Sequence, residues 1–570
     1  MMKMTVKMEK GKEEKRRVWK EVGFWTVYGI LVGVRLVLAL VSPGYVHPDE
    51  FFQNPEAAAG LVFGGAGLGW ARTWEFRAAQ VRSPTLPALT TGVPFALLHA
   101  VWRPPALPPP AALFFAPRAV FFALSLTLDA CIAVLGARHK DALHWRRALL
   151  TLAGAWPVLT LAVRPFSNTT ELLLLAPLLC AASDPAPLTV ARAALIPALG
   201  ALGVFNRATF VAFAAPIAAY HVFRCVRDSG GQGRKNWPRA LLLLGIGLAT
   251  FVGTAGAIIA SDTFLYARLN GEDKLGSPVL APLNFLRYNA NAANLAQHGT
   301  HPRWLHAAVN VPLLALPLLP GAVRTAARTW AHPAPLPALC AAVVTSAIAV
   351  LSAAPHQELR FVLPLIFPLI ILSCWKGENK GKEGKDKCSN KCRGIVAVAL
   401  YAVFNMVLTA YFGFAQQGGV VPALVHVGTQ MRRADAAPQQ QLVFWHTYMP
   451  PPHLLAAPRT RYTLTDLGSA PLSALLATVD AALVNRTHGT CTDVWVAAPA
   501  VETAAVDALT ARGLERTAAF APHVGLDNGE AAAYRAAPTL RALEEIAALD
   551  LFQIRVGDCN AREDSGVPSA

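Results

Sequence analysis

Charge is what this sequence has least of. Only 15% of its 570 residues are charged and 54% are hydrophobic, where soluble domains carry roughly 25% charged residues. The shortage is uneven. Apolar runs of membrane-span length alternate with short polar loops, the pattern of a chain solvated mostly by lipid, so a single soluble core is excluded. Nucleic-acid binding is excluded next. The net charge is +16, but the basic residues sit at the edges of apolar runs, at 10–20, 138–147, 224–239, 324–328 and 376–393. That is the distribution of cytoplasmic loops. No basic stretch is interleaved with aromatics as a single-strand groove requires. A cleavage site is missing too. The first apolar run, 24–41, follows a charged tail and is succeeded by Pro43-Gly44-Tyr45, so it reads as a signal anchor with its N-terminus in the cytosol. Arg35 interrupts this run and must face protein or snorkel.

Cysteines are scattered. Cys131, Cys180, Cys225, Cys340 and Cys374 fall in or beside apolar runs and read as small hydrophobes. Cys388 and Cys392 lie in a lysine-rich loop with no histidine nearby, which argues against zinc. Cys491 and Cys559 can pair if the C-terminal region is lumenal. The odd total of nine leaves at least one thiol free. No internal repeat of fixed period is found.

What is present is a series of candidate spans: 24–41, 86–102, 111–136, 148–163, 171–183, 191–205, 208–223, 240–260, 305–322, 337–353, 359–374 and 394–413. Read from the basic loop 376–393, the charge rule puts everything after 414 in the lumen; read from the N-terminus, it puts 42–85 there. The two agree only if one candidate between 86 and 136 does not cross, or if 111–136 begins as a re-entrant segment after its prolines. About eleven crossing helices are therefore expected. The organisation is a cytosolic basic tail (1–22), a transmembrane core (23–414) whose first lumenal loop is 42–85, and a C-terminal lumenal region (415–570). The first loop mixes Phe51, Phe52, Trp70, Trp74 and Phe76 with acids and arginines, which predicts short amphipathic helices at the membrane surface. Strands are expected at 442–445, 462–467 and 494–498 and helices near 471–484 and 500–511, a small α/β region. Asn168 and Asn485 head glycosylation sequons; Asn485 is the plausible acceptor, because Asn168 is too near a span.

In a chain so short of charge, the acids mark the place to look. Asp49, Glu50 and Glu56 follow the first span directly, and Glu75 comes soon after. Pro48 fixes the backbone and presents Asp49 and Glu50 at the start of whatever helix follows. Helix capping alone would explain two acids there. It does not explain His47, Gln53 and the aromatics clustered with them.

The stretch GYVHPDEFFQNPE (44–56), with TWEFR (73–77) and RSPTLP (82–87), resembles the first lumenal loop of the family 22 glycosyltransferases. These are the dolichyl-phosphate-mannose-dependent α-mannosyltransferases of the GT-C superfamily. RPFSNTTE (164–171), FNRATF (205–210), APLNFLRYN (281–289), GTHPRW (299–304), PHQELRF (355–361), QQGGVVP (416–422) and FWHTYMPPPHLL (444–455) agree, in consistent order. The HPDEFFQ, HQELRF and TYMPPP segments are closest to the branch that builds glycosylphosphatidylinositol (GPI) anchors.

The resemblance implies a polytopic helical membrane enzyme of the endoplasmic reticulum with a lumenal site. Its donor would be dolichyl phosphate mannose and its acceptor a mannosylated, lipid-linked GPI precursor. The implied product is the fourth mannose in α-1,2 linkage; a third-mannose or N-glycan-precursor step is the alternative within the family. A β-linked donor and an α-linked product require inversion by a single displacement, and a carboxylate is the natural general base. Asp49 is the expected base, with Glu50 as alternative base or orienting partner. His47 either bonds an acid or the donor phosphate, or satisfies a backbone carbonyl. Arg360, at the start of an apolar span, either holds the leaving phosphate or snorkels. One face of a helix would carry it with His356. Arg164, Arg207 and Arg287 are weaker phosphate candidates. Gln53, Glu75, Arg82 and His301 are placed with the substrate-binding set by the same resemblance. Trp74 either stacks on sugar or anchors the loop at the interface. No metal, no other cofactor and no nucleic acid is expected. Two rival classes remain: a multispan lipid or solute transporter, which would bury its acids at the midplane of broken helices, and a non-catalytic subunit.

Overall fold

The computed structural model describes residues 2–554 apart from 78, 104–105, 140–141, 230–235, 292, 295–298, 332–333, 377–386, 434–438, 488–491, 526–532, 535–538, 540–544 and 546. Among the described residues, eight helices are long and apolar enough to cross a membrane. Shorter apolar helices, Ser167–Ala182, Val190–Asn206 and Leu359–Ser373, pack among them. The expected span 148–163 is broken. Helix Trp145–Ala153 ends at Gly154, and a single further turn, Trp156–Thr160, runs into Arg164. This segment is buried because the surrounding helices close over it; Trp156 stacks on Phe412 with ring centroids 4.7 Å apart.

Helix Met2–Val41 and helix Pro110–Arg138 run antiparallel. Arg35 meets Asp129 at 2.6 and 3.1 Å, Arg118 donates to the Ser42 carbonyl at 2.6 Å, and Phe24 lies against Trp145. Arg35 is thus fully buried and paired rather than snorkelling, as an ion in an apolar span must be. This pairing puts residue 110 on the same side as loop 42–85. The helix between them is Thr85–Trp102, which starts on that side. Ser83 and Thr85 bond Asp262 at its start, and beyond its end Arg432 donates to the Pro108 carbonyl at 3.1 Å. Its Phe95 packs on Phe63 and His453.

The first loop holds helices Asp49–Phe52 and Pro55–Phe63 and a 3-10 turn, Trp74–Phe76. It does not lie on a surface. Glu50, Glu56, Ala57, Ala58, Ala59 and Phe63 are buried. Its charges are spent inside the protein: Glu56 accepts from His453 Nδ1 at 2.6 Å, from the His453 backbone at 3.1 Å and from Ala71 N–H at 2.7 Å. Mixed apolar and charged composition here reflects internal pairing, not a lipid-facing stripe.

Beyond the last long helix, five strands form one sheet: β1 (Gln439–Phe444), β2 (Tyr462–Asp466), β3 (Thr492–Pro499), β4 (Glu515–Phe520) and β5 (Leu549–Ile554). The order is β2-β1-β3-β5-β4, with β1 parallel to β2 and β3, and β5 antiparallel to β3 and β4. The expected helices are Leu472–Thr487 and Thr503–Ala511. Side chains alternate between two cores. Val443, Val494, Val496 and Phe552 pack with Leu475, Val479 and Leu509. Leu442, Phe444, Trp495, Leu549 and Leu551 share a core with Phe51, Phe52 and Phe63 of the first loop. The sheet is therefore packed onto the loop rather than being a separate body. Cys491 and Cys559 lie outside the described residues. Asn485 is in the last turn of its helix, and its side chain lies outside the described set. Asn168 is buried and donates to Glu171 at 2.9 Å. The five core cysteines are free and buried, as small hydrophobes are.

Candidate active site

Pro48 starts the short helix at 49. The backbone N–H of Glu50 donates to the His47 carbonyl at 3.0 Å, and that of Asp49 to His47 Nδ1 at 3.1 Å. Neither acid side chain caps this helix. Successive residues of a helix point apart, and the two carboxylates go to different places.

Glu50 goes inward. It is fully buried, with Arg118 on Oε1 at 2.5 Å and Arg164 on Oε2 at 2.9 Å. Both arginines are themselves buried and also donate to backbone, Arg118 to Ser42 and Arg164 to Gly44. Three charges held this way tie the loop to helix Pro110–Arg138 and to the buried broken segment that ends at Arg164. Arg118 escaped sequence reasoning, although a charge inside an apolar run is itself a signal.

Asp49 goes outward. Its side chain keeps one-fifth of its surface exposed; Oδ2 faces Arg360 Nη1 at 2.5 Å and accepts from Gln53 Nε2. His47 Nδ1 stands 3.5 Å from Oδ1. Burial on its own would push the Asp49 carboxyl up, but Arg360 and then His47 outweigh it and hold it well below the usual carboxylate range.

Arg360 is shared. Its Nε bonds Glu358, whose other oxygen meets His356 Nε2 at 2.5 Å, while His47 Nε2 approaches the first at 3.5 Å. Burial opposes ionisation of Glu358, yet Arg360 and the His356 bond hold it low; that same bond raises His356. The chain at Glu358 is extended and helix begins only at Leu359. His356 and Arg360 are therefore joined through Glu358, not by a shared helix face as expected. Glu358, an acid set between the two basic residues in sequence, was the signal overlooked.

A second layer lies behind Asp49. Gln53 donates to Glu75 at 3.2 Å, which Arg82 holds at 2.7 Å; the Gln53 carbonyl accepts from Ser167 at 2.7 Å, and Arg207 donates to Ser167 at 2.8 Å. Asn168 accepts weakly from Arg360 at 3.4 Å. His301 sits one step out: its ring accepts Gln357 N–H at 3.2 Å and its backbone N–H donates to Pro355 at 2.8 Å, clasping the segment that carries Glu358. Trp74 turns elsewhere. It stacks on Tyr288 at 4.4 Å and stays 41% exposed, and Arg287 lies on the neighbouring helix Ala281–Asn289.

So His47, Asp49, Gln53, Glu75, Arg82, Arg207, His356 and Arg360 converge, Glu50 with Arg164 forms a buried brace beside them, and His301 and Trp74 lie outside. Among the described residues, no group of three or more His, Cys, Asp or Glu is placed to hold a metal ion.

The fold that carries this site is a polytopic helical core with a C-terminal α/β sheet packed on its first loop. ArnT of Cupriavidus metallidurans, solved bound to undecaprenyl phosphate, shares that fold with a TM-score of 0.53 at 13% identity, covering 94% of this chain and 98% of that one. The profile of the Alg9-like mannosyltransferase family matches residues 26–456, and the chain belongs to that family. Its curated relatives include GPI alpha-1,2-mannosyltransferase 4 of Homo sapiens, 35% identical over 472 residues and 76% of each chain. They also include GPI mannosyltransferase 4 of Aspergillus oryzae, 32% identical over 75% of this chain and 77% of that one. The protein is a glycosyltransferase of the membrane, and the transporter and non-catalytic readings fall away.

Proposed function

We propose that this enzyme transfers mannose from dolichyl phosphate mannose to a GPI precursor, adding the fourth mannose in α-1,2 linkage with inversion, without a metal, on the lumenal face of the endoplasmic reticulum. The observation that carries the chemistry is the Asp49–Arg360 pair at the open edge of the ion network. The acceptor hydroxyl oxygen attacks C1 of the mannosyl phosphate. Its proton passes to Asp49, and the C1–O bond electrons leave with the dolichyl phosphate. Arg360 stabilises that phosphate through its planar fork. A carboxylate held as low as Asp49 is a weak base. A donor phosphate competing for Arg360 loosens the pair and restores basicity when the acceptor is in place. Glu358 keeps Arg360 aimed during the exchange, and His47 bridges the two carboxylates.

The relatives' names support the fourth-mannose step. The test is purified protein with dolichyl phosphate mannose and a trimannosyl GPI acceptor, with products resolved by mannose count. A tetramannosyl product linked α-1,2, formed at the same rate in excess EDTA, is expected. Transfer only to a dimannosyl acceptor would move the assignment to the third-mannose step, and loss of activity in EDTA would overturn metal independence.

Arg360→Gln provides a second check. Burial then loses its main counterweight, so the Asp49 carboxyl rises. The acid limb of kcat/KM should move to higher pH in the residual activity of the variant, whereas the unaltered enzyme stays flat down to about pH 5, above the ordinary carboxylate range. An unmoved limb would remove Asp49 as the titrating group.

A further inference from the structure

Beside the helix that carries Asp49 lies a groove of about 380 Å³, lined by Phe52 of that helix and not by Asp49 or the ion network. Its floor is Phe52, in the same helical turn as Asp49, with Pro450, Pro452 and Tyr462. One rim is the exposed Met449; the other is the edge strand β2, with Thr463 and Asp466 exposed, and Arg459 just before it. The groove is fastened to the catalytic turn. Tyr45 donates its hydroxyl to the Met449 carbonyl at 2.9 Å, and Tyr448 lies 6.5 Å from the His47 ring.

We propose that this groove binds the glycan of the acceptor, the saccharide that ends in the hydroxyl presented to Asp49. The inference rests on the mannosyl-transfer reading above. Two observations carry it. Its volume is in the range of small-molecule sites, about 300–1,000 Å³. An apolar floor of aromatic and proline rings under a rim of hydroxyl, carboxylate and guanidinium matches a sugar, which has apolar ring faces and a polar edge. Asp466 Oδ1 accepts Gly468 N–H at 3.0 Å, which holds an exposed carboxylate at the rim.

The test uses the full chain with the two-substrate assay above and the variants Met449→Trp and Asp466→Asn. Met449 is an exposed rim residue held through its backbone carbonyl, so M449W fills the groove without disturbing the sheet. Asparagine keeps the bond to Gly468. The expected result is a rise of tenfold or more in acceptor KM for M449W and a smaller one for D466N. Donor KM should stay within twofold and thermal stability should not change. With a methyl mannoside acceptor, too short to reach the groove, both variants should match the unaltered enzyme. An acceptor KM that does not move, or a donor KM that rises equally, overturns the groove. If the unaltered protein transfers no mannose at all, the functional reading itself fails, and that outcome is separate.

Discussion

Asp49→Asn should leave the protein folded and abundant while lowering mannose transfer by roughly 10²–10⁴-fold, the usual contribution of a general base. The side chain is partly exposed and makes its ion pair with Arg360, which keeps Glu358 as a second partner after the change. Asparagine preserves the oxygen that accepts from Gln53 but cannot take a proton. Loss should appear in kcat, with donor KM nearly unchanged. Asp49→Glu should be almost as poor, because one methylene displaces the oxygen beyond the tolerance of positioned catalysis. The measurement is initial rate on purified protein beside a thermal unfolding curve. Transfer at the normal rate in D49N would sink Asp49 as base.

Glu50→Gln should do the reverse. Removing this charge leaves Arg118 and Arg164 buried against an amide whose NH₂ group must face one of them. Breaking a buried pair from one side costs about 3–5 kcal/mol. Here two cations lose their partner, so the loss should reach the upper end of that range. The variant should elute as aggregated or poorly recovered protein and unfold at a lower temperature in detergent. Whatever fraction folds should keep much of its activity per folded molecule. A fully stable but inactive E50Q would place Glu50 in the chemistry and contradict its role as a brace. The pair of variants separates two neighbouring acids by opposite readouts.

The class of this molecule was legible early because it follows from composition. A chain with so few charges cannot bury them casually, so each acid or arginine near a span is paired or functional. That rule led directly to His47, Asp49 and Glu50, to Arg360, and to protein contact for Arg35. The strands at 439–444, 462–466 and 492–499 were also readable, since short apolar runs among polar residues carry a local signal. β4 and β5 were not. Glu515–Phe520 is polar along much of its length and is made a strand only by pairing with Leu549–Ile554. The crossing of helix Thr85–Trp102 was equally unreadable from its own residues. Its hydropathy suits a span, and what bears on its crossing is the antiparallel pairing of the helices before and after it.

The turn at His47 to Glu50 holds both halves of this lesson. By itself, the sequence determined that this charge-poor chain gathers a histidine and two acids directly after its first apolar run, and that Pro48 sets those acids at the head of a short helix. Which acid is locked in a buried ion cluster and which stays partly exposed was decided only in three dimensions. Arg118 is distant in sequence and arrives through an antiparallel helix pair; Arg164 arrives through a broken, buried segment. Together they neutralise Glu50 from inside. Glu358 and Arg360 meet Asp49 from a third segment at the open edge. Electrostatic pairing depends on distance and burial, and neither is written in the spacing of residues along a chain.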